Sequence, residues 1–481
     1  MGIKNFLKII FAILAIVATT YIIPIAVALN CHEYDMIVPF AAPMVAAWIV
    51  YFFVYLFTKK SPVRFTIKSS FVIVAFAWLT CSLFGSIPFI LSGYFNSVTN
   101  AIFESVSGFT TTGASILSDV ETLPRSLNLW RCETHWLGGM GIVALTVALL
   151  PLLGVGGFQL IKAETTGPDK GKVTSKITNT AKALWLIYFS MTVILFVLLK
   201  LAGMDFIDAL SHAFSTLGTG GFSTRNASIA SFNSPLIEWI ITVFMFFAGI
   251  NFSLFFYLVI GKFKEIKNNS EFKVYVFISA VIIALITIIL TPSFKNFSDA
   301  LRISAFQVFS IISTTGFSTM DFTLWVPAAQ FLIFILFFIG GCSGSTSGGI
   351  KVVRWIVFQK QVHNELLRML HPHGIFTVRL NQKPGRKDIV FNVASFMMCY
   401  ALLVVIVTFC GTLANLDVFS AFTGALSMVG NVGPGFGQLC PSNNLGFLPP
   451  ALKWIYMFAM LAGRLEIYTM IMFFVPDFWK R

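Results

Sequence analysis

Four short Gly/Thr loops, one in each quarter of the chain, interrupt a strongly apolar sequence. They read Thr110-Thr-Thr-Gly-Ala-Ser115, Gly218-Thr-Gly-Gly-Phe-Ser-Thr224, Ser313-Thr-Thr-Gly-Phe-Ser-Thr319 and Gly430-Asn-Val-Gly-Pro-Gly435. Each follows a short segment led by an Asn or Asp (Asn100, Asp208, Asp299, Asp417) and lies between two long apolar runs. Irregular backbone survives at membrane depth only where protein or water surrounds it. Four such loops in one chain point to a pore lined by carbonyl oxygens.

The surrounding sequence supports membrane depth. Of 481 residues, 57% are hydrophobic and 11% charged, against about 25% charged in a soluble domain. Mean hydropathy is +0.84. Ten apolar runs can be drawn, at about 6–29, 37–57, 68–91, 129–153, 183–202, 235–261, 273–292, 326–358, 389–413 and 450–475. Each has the roughly 17–25 residues or more that a helix needs to cross a bilayer. The expected fold is an all-α polytopic membrane protein with about ten transmembrane helices. The first run is too long for the core of a cleaved leader and lacks a clear small-residue cleavage site.

The net charge of +13 has a topological reading. With Lys4 and Lys8 placed inside, 25 of the 33 Lys and Arg fall on the inner side, and Arg125, Arg131, Lys200, Arg225, Lys295, Arg302 and Lys453 fall outside. That asymmetry follows the positive-inside rule and puts both termini in the cytoplasm. No nucleic-acid partner is inferred from it. The seven cysteines contain no CxxC pair, so neither a disulfide framework nor a metal site is indicated. No nucleophile, base and oxyanion set is apparent, and no enzyme is expected.

The first two runs enclose no Gly/Thr loop, and the other eight form four pairs, each enclosing one. The expected organisation is therefore an N-terminal two-helix segment (1–60) and four pore units at 61–160, 161–265, 266–370 and 371–481, the third with a broken second helix. Aligning Thr314 with Thr219 sets Gly316 against Gly221, and the same frame selects Gly113 and Gly433. The short segments 100–109, 208–217, 299–313 and 417–429 cannot span a bilayer and are expected to be re-entrant helices. Their leading Asn or Asp would serve as N-caps, and their C-terminal partial negative charge would favour a cation at the pore centre.

A dehydrated monovalent cation must regain oxygen ligands, and carbonyls supply them without a fixed charge that would trap it. Aiming successive carbonyls at one axis requires unusual backbone angles, which glycine accepts at least steric cost. The candidate ion-binding residues are Thr111, Thr112 and Gly113; Thr219, Gly220 and Gly221; Thr314, Thr315 and Gly316; and Asn431, Val432 and Gly433. Gly220, Asn431 and Val432 stand where a threonine would complete the symmetry.

Two further features lie inside apolar runs. Gly340, Gly341, Cys342, Ser343, Gly344, Ser345, Thr346, Ser347, Gly348 and Gly349 make a tract too rich in Gly and Ser to remain a good helix. Entering near Val326, the helix reaches it about 20 Å deep. The expected break makes it a candidate gate, and a tight small-residue helix contact is the competing reading. Arg464 sits near the middle of the last run, where an arginine normally faces a cavity or a partner. Glu466, two residues on, is on another face of the helix. Either a salt bridge to another helix or a positive charge in the ion path would account for Arg464.

Together the four loops resemble those of the Trk/Ktr/HKT superfamily of potassium and sodium transporters. Trp136-Leu-Gly-Gly-Met-Gly-Ile142, Gly340–Lys351 and Gly463-Arg-Leu-Glu-Ile467 resemble the bacterial TrkH/TrkG branch, which the extra N-terminal helix pair also fits. The resemblance covers essentially the whole chain. It implies a homodimer in the bacterial inner membrane with one pore per protomer. It also implies a cytosolic nucleotide-binding regulatory ring of the TrkA kind. Gly113, Gly221, Gly316 and Gly433 would line a selectivity filter, 340–350 would be the gating loop, and Arg464 the arginine beneath the filter. Members with Ser in the first loop tend to favour sodium, so Gly113 implies potassium as the transported ion. Two other classes stay open at this point: a secondary symporter coupling K⁺ to H⁺ or Na⁺, and a non-conducting sensor or assembly subunit.

Overall fold

Large apolar residues face outward as well as filling the core, while polar residues around the short loops are buried. Phe52, Phe53, Phe277, Phe391 and Phe409 are exposed, whereas Ser107, Thr111, Ser215, Thr314 and Ser427 are buried. Lipid tails are as apolar as these Phe side chains, so an outward apolar face carries no solvation cost. The computed structural model describes residues 3–58, 67–141, 177–381, 383–384 and 388–480. The second half of the expected 129–153 run lies outside these residues, as do parts of the basic inside segments at 58–68, 159–182 and 351–387.

Six stretches among the described residues are long and apolar enough to cross a membrane: Ile3–Asn30, Tyr34–Thr58, Lys68–Leu91, Thr180–Leu201, Ser270–Ser293 and Ile389–Leu413. Two more expected spans prove to be bent. Helix Pro235–Ala248 turns by 95° into Phe252–Val259, and Pro450–Arg464 turns by 114° into the segment Tyr468–Phe474. The first bend follows Gly249, and Asn251 caps the new helix through Ser253 N at 2.8 Å. At the second, Glu466 has a left-handed φ of +57°. The run expected from 129 instead starts a helix at Arg125 that ends at Gly139. The eighth run is broken between Pro327–Leu336 and Val352–Leu370. Strand Arg379–Leu380 pairs antiparallel with Lys383–Pro384, Arg379 opposite Pro384.

Four shorter helices, Val98–Phe109, Phe206–Gly218, Phe297–Ile312 and Val418–Gly430, sit inside the bundle. Their caps differ from the sequence reading at three of four positions. Ser97 rather than Asn100 caps the first, Asp205 rather than Asp208 the second, and Asn296 rather than Asp299 occupies the cap position of the third. Asp417 caps the fourth through Ser420 N. The displaced residues have other partners: Asn100 accepts from Lys453 Nζ, while Asp208 and Asp299 bind Arg225 and Arg302.

The N-terminal helices are tied to the bundle by a cap supplied from a distance. The 125–139 helix begins after Pro124, which has no side-chain donor or acceptor for capping. Glu33 fills that role. Its carboxylate accepts from Arg125 N at 2.7 Å, Ser126 N at 3.0 Å and Ser126 Oγ at 2.6 Å. Negative charge at a helix N-terminus also opposes the positive end of its dipole. Glu33→Ala is expected to destabilise the protein by about 1 kcal/mol, the usual cost of losing a cap. Thermal unfolding in detergent checks this, and an unchanged melting temperature would remove Glu33 from that role.

Candidate functional site

The four short helices end in the same way. The backbone turns left-handed at Thr111, Thr219, Thr314 and Asn431, with φ of 55°, 53°, 56° and 55°. Two residues later it does so again at Gly113, Gly221, Gly316 and Gly433. The N–H of the intervening residue closes back onto the helix: Thr112 to Ser107 O, Gly220 to Ser215 O, Thr315 to Ser310 O and Val432 to Ser427 O, at 2.8–2.9 Å. This pairs one loop N–H in each copy with the helix before it. A serine six residues before each glycine is a repeat the sequence reading missed, although it is visible in all four copies.

The glycines close a ring. A Cβ on Gly113 would overlap the carbonyl oxygen of Gly220, one on Gly221 that of Thr315, and one on Gly316 that of Val432. A Cβ on Gly433 would stand 2.5 Å from Thr112 O, which returns to the first loop. Each glycine is thus required twice, by its left-handed φ and by the carbonyl of the next loop. All four line one cavity of about 210 Å³. The four loop sequences contain no charged residue. At the cavity mouth Asn226 donates to Asp119 Oδ1 at 2.8 Å and, with the backbone N–H of Glu121, holds that exposed carboxyl below its ordinary pKa.

The outgoing arm of each loop is braced by a polar residue of its own short helix. In the first copy Glu104 accepts from Ser115 Oγ at 2.8 Å and Ile116 N at 3.1 Å. In the second His212 Nε2 meets Ser223 Oγ at 2.9 Å. In the third Gln307 donates to Met320 O at 2.9 Å, and in the fourth Thr423 Oγ1 accepts from Phe436 N at 3.1 Å. Glu104, His212 and Gln307 each stand nine residues before their glycine. That spacing is the signal that could have found them. Arg131, assigned by the charge count to an outer segment, is instead buried against Glu104 at 2.7 Å. It also donates to Asn128 Oδ1 at 2.7 Å and to Ser223 O at 3.3 Å, so it joins the first loop to the second.

The tract at 340–349 is irregular backbone, several of whose polar groups are paired with other segments. Gly340 N donates to Ile350 O at 2.9 Å, Cys342 N to Gly249 O at 2.8 Å, and Gly344 O accepts from Phe252 N at 3.0 Å. Glu271 Oε1 ties the tract to the following helix, accepting from Ser343 N at 2.7 Å and Val353 N at 3.1 Å. The inner half reaches the loops. Gly348 N donates to Thr314 Oγ1 at 2.6 Å, and a Cβ on Gly348 would overlap Gly430 O. Gly344 and Ser345 lie on the far side, toward the 249–251 bend and more exposed. Lys351 and Arg354, counted with the basic inner loop, are buried. Lys351 Nζ folds back to Ser347 O, and Arg354 pairs with Glu466.

Arg464 reaches three backbone carbonyls. Nη1 donates to Thr346 O at 2.7 Å, and Nη2 to Gly138 O and Gly139 O at 2.7 and 2.8 Å. It thereby joins the tract to the end of the 125–139 helix. Gly138 and Gly139 pack so closely on Phe109 O and Gly218 Cα that neither has room for a side chain. Asn431 links the first and fourth loops through Nδ2, which donates to Thr112 Oγ1 and Met460 O, both at 3.0 Å. The twelve loop candidates therefore converge, and Thr346–Gly349 and Arg464 meet beside them.

A family model described as TrkH, cation transport protein, matches residues 40–481. The Trk system potassium uptake protein TrkH of Halomonas elongata is 37% identical, with all of both chains covered. The protein of the same description from Escherichia coli K12 is 39% identical over 86% of each chain. The crystal structure of the potassium transporter TrkH from Vibrio parahaemolyticus matches with a TM-score of 0.88 and 33% identity, covering all of both chains.

Removing one partner of a buried ion pair leaves an uncompensated charge, at a cost of about 3–5 kcal/mol. Arg131→Met should therefore destabilise the protein by about that amount, with a large fall in detergent melting temperature. Arg131→Met combined with Glu104→Gln should recover part of the loss, because neither charge then remains. Equal melting temperatures for the single and double variants would count against the coupling.

Proposed function

This chain belongs to the TrkH family of cation transport proteins, and from that premise we propose that it takes up potassium through a carbonyl-lined selectivity filter. It is a multi-pass membrane protein, in this reading of the bacterial inner membrane with both termini cytoplasmic. The N-terminal helix pair (1–60) precedes four pore units (61–160, 161–265, 266–370, 371–481) that together build one pore. The observation that carries the reading is the closed ring of glycines, each seated on the carbonyl of the next loop. A ring of this kind offers oxygen ligands from four directions around one axis. K⁺ sheds water, gains carbonyl ligands and moves on, since no fixed charge in the loops holds it. The dipoles of the four short helices add negative potential where they converge.

The inner tract and Arg464 form the gate in this reading. Thr346–Gly349 lie against Thr314 and Gly430, where they obstruct exit from the filter. A guanidinium about 4 Å from a passing cation opposes it by about 4 kcal/mol at an effective dielectric near 20. Opening requires the tract and Arg464 to separate from the loops. The functional unit is a homodimer whose inner loops dock the cytosolic nucleotide-binding ring. The Val352–Leu370 helix runs directly from the tract into the basic inner segment, so a force applied there reaches the gate.

Two measurements test this. Reversal potentials of the purified protein in K⁺/Na⁺ gradients should show a preference for K⁺. Gly113→Ser should reduce the permeability ratio about tenfold, equivalent to about 1.4 kcal/mol in relative ion stabilisation. An unchanged ratio would remove Gly113 from the filter. Deleting part of 342–347, or Arg464→Ala, should raise K⁺ flux in proteoliposomes and weaken its dependence on the regulatory partner. Wild-type flux and regulation in both folded variants would reduce the tract to a packing element.

A further inference from the structure

The second loop lacks a side chain that its counterparts have, and another helix fills the space. The residue before the ring glycine is Thr112, Thr315 or Val432 in the other copies, but Gly220 in the second. Thr112 Oγ1 lies 2.9 Å from Thr110 Oγ1, and Thr315 Oγ1 lies 2.7 Å from Ser313 Oγ. These hydroxyl pairs strap their loops across the left-handed residue. The matching positions in the second copy are Gly218 and Gly220, so no such strap can form.

Backbone geometry does not explain either glycine. Gly220 has no left-handed φ, and Gly218 closes a regular helix. Space does explain them. A Cβ on Gly220 would stand only 2.1, 2.2 and 2.4 Å from Cγ, Nδ1 and Cδ2 of the His135 imidazole. A Cβ on Gly218 would stand 2.5 Å from His135 O and 2.7 Å from His135 C. One residue of the 125–139 helix thus occupies both vacated positions. His135 is fully buried. Its ring stacks on Phe222 with centroids 4.2 Å apart, and Nδ1 lies 3.2 Å from Ser215 Oγ. The ring is therefore clamped between the last turn of the second short helix and Phe222 of the second loop.

We propose that His135 is a positioning residue for the filter, supplying from the first pore unit the side chain that the second loop lacks. The inference rests on the filter reading above. Its route to the ion is short. The His135 ring backs Gly220, and the Gly220 carbonyl abuts Gly113 on the neighbouring loop. Removing the ring leaves a cavity behind Gly220, and the carbonyl can then retreat from the axis. A threonine placed at 220 cannot coexist with the ring but fits once the ring is gone. The two positions are thus coupled, and non-additivity is the expected signature of residues in contact.

The test uses the full-length protein in proteoliposomes, reading the K⁺/Na⁺ permeability ratio from reversal potentials, with melting temperature as the control for folding. His135→Ala should lower the ratio about tenfold. His135→Gln, which keeps a planar side chain in the pocket, should hold it within about threefold of wild type. Gly220→Thr should abolish transport or folding. The double variant His135→Ala with Gly220→Thr should fold and exceed both single variants in selectivity. A wild-type ratio in His135→Ala, or a double variant no better than either single, would overturn the proposal. If His135→Ala fails to fold, the double variant decides: recovery supports the exchange of one side chain for the other, and continued failure overturns it. Gly113→Ser, measured in parallel, separates the two claims. A lowered ratio there with no effect at His135 rejects the positioning role alone, and no effect at Gly113 rejects the filter reading itself.

Discussion

Backbone polar groups have no water to turn to inside a bilayer, so every departure from helix must find a partner within the protein. The breaks at 249–251 and 340–349 do so. Gly249 O accepts from Cys342 N, and Gly344 O from Phe252 N, so the bend at 249–251 and the tract at 340–349 satisfy each other. Glu271 takes one further N–H group of the tract and one of the helix that follows it. Arg464 serves three carbonyls at once. The irregular segments are consequently interdependent, and a movement in one exposes polar groups in another. That makes such a region suited to two discrete arrangements rather than a continuum.

Glycine serves two different purposes around the loops. At Gly113, Gly221, Gly316 and Gly433 it permits a left-handed turn and the close approach of a neighbouring carbonyl. At Gly138, Gly139, Gly218 and Gly220 it only makes room. The second use lets the 125–139 helix wedge between the ends of two short helices, and leaves Gly138 and Gly139 carbonyls facing Arg464. The second loop differs from the others at Gly218 and Gly220, where His135 of the 125–139 helix fills the space.

Arg131, Glu104 and Arg464 are placed where backbone or an opposite charge receives them. Arg131 and Glu104 are both buried, with Asn128, Ser115, Ile116 and Ser223 completing their hydrogen bonds. An ion pair removed from water contributes to stability only when its remaining donors and acceptors are satisfied. Here it also fixes two loops relative to each other, which a pair of apolar residues would do with less directional precision. Phe222 lies under the Arg131 guanidinium at 4.3 Å and under the His135 ring at 4.2 Å, so one aromatic side chain supports both residues that reach from the 125–139 helix into the second loop.

The membrane class, the four loops, the glycines that turn left-handed and the break in the eighth run were legible in the sequence, because hydropathy and glycine spacing are local properties. Other features needed the fold. Asn100, Asp208 and Asp299 looked like caps, yet Ser97 and Asp205 cap the first two helices and Asn296 takes the cap position of the third. Lys453 and Arg225 come from other elements, and Arg302 lies one turn on in the helix of Asp299 itself. The runs at 235–261 and 450–475 read as single spans, because hydropathy does not register where a bend finds partners for its backbone. Arg131 read as an outer charge and proved to be buried, since its carboxylate partner comes from a different helix. Gly220 read as a lapse in symmetry, and only the position of His135 gives it a physical cause. Local pattern determined which segments would be helical, apolar or sharply turned. Tertiary packing decided which side chain completes which loop, because those partners are brought together by the fold and not by their spacing along the chain.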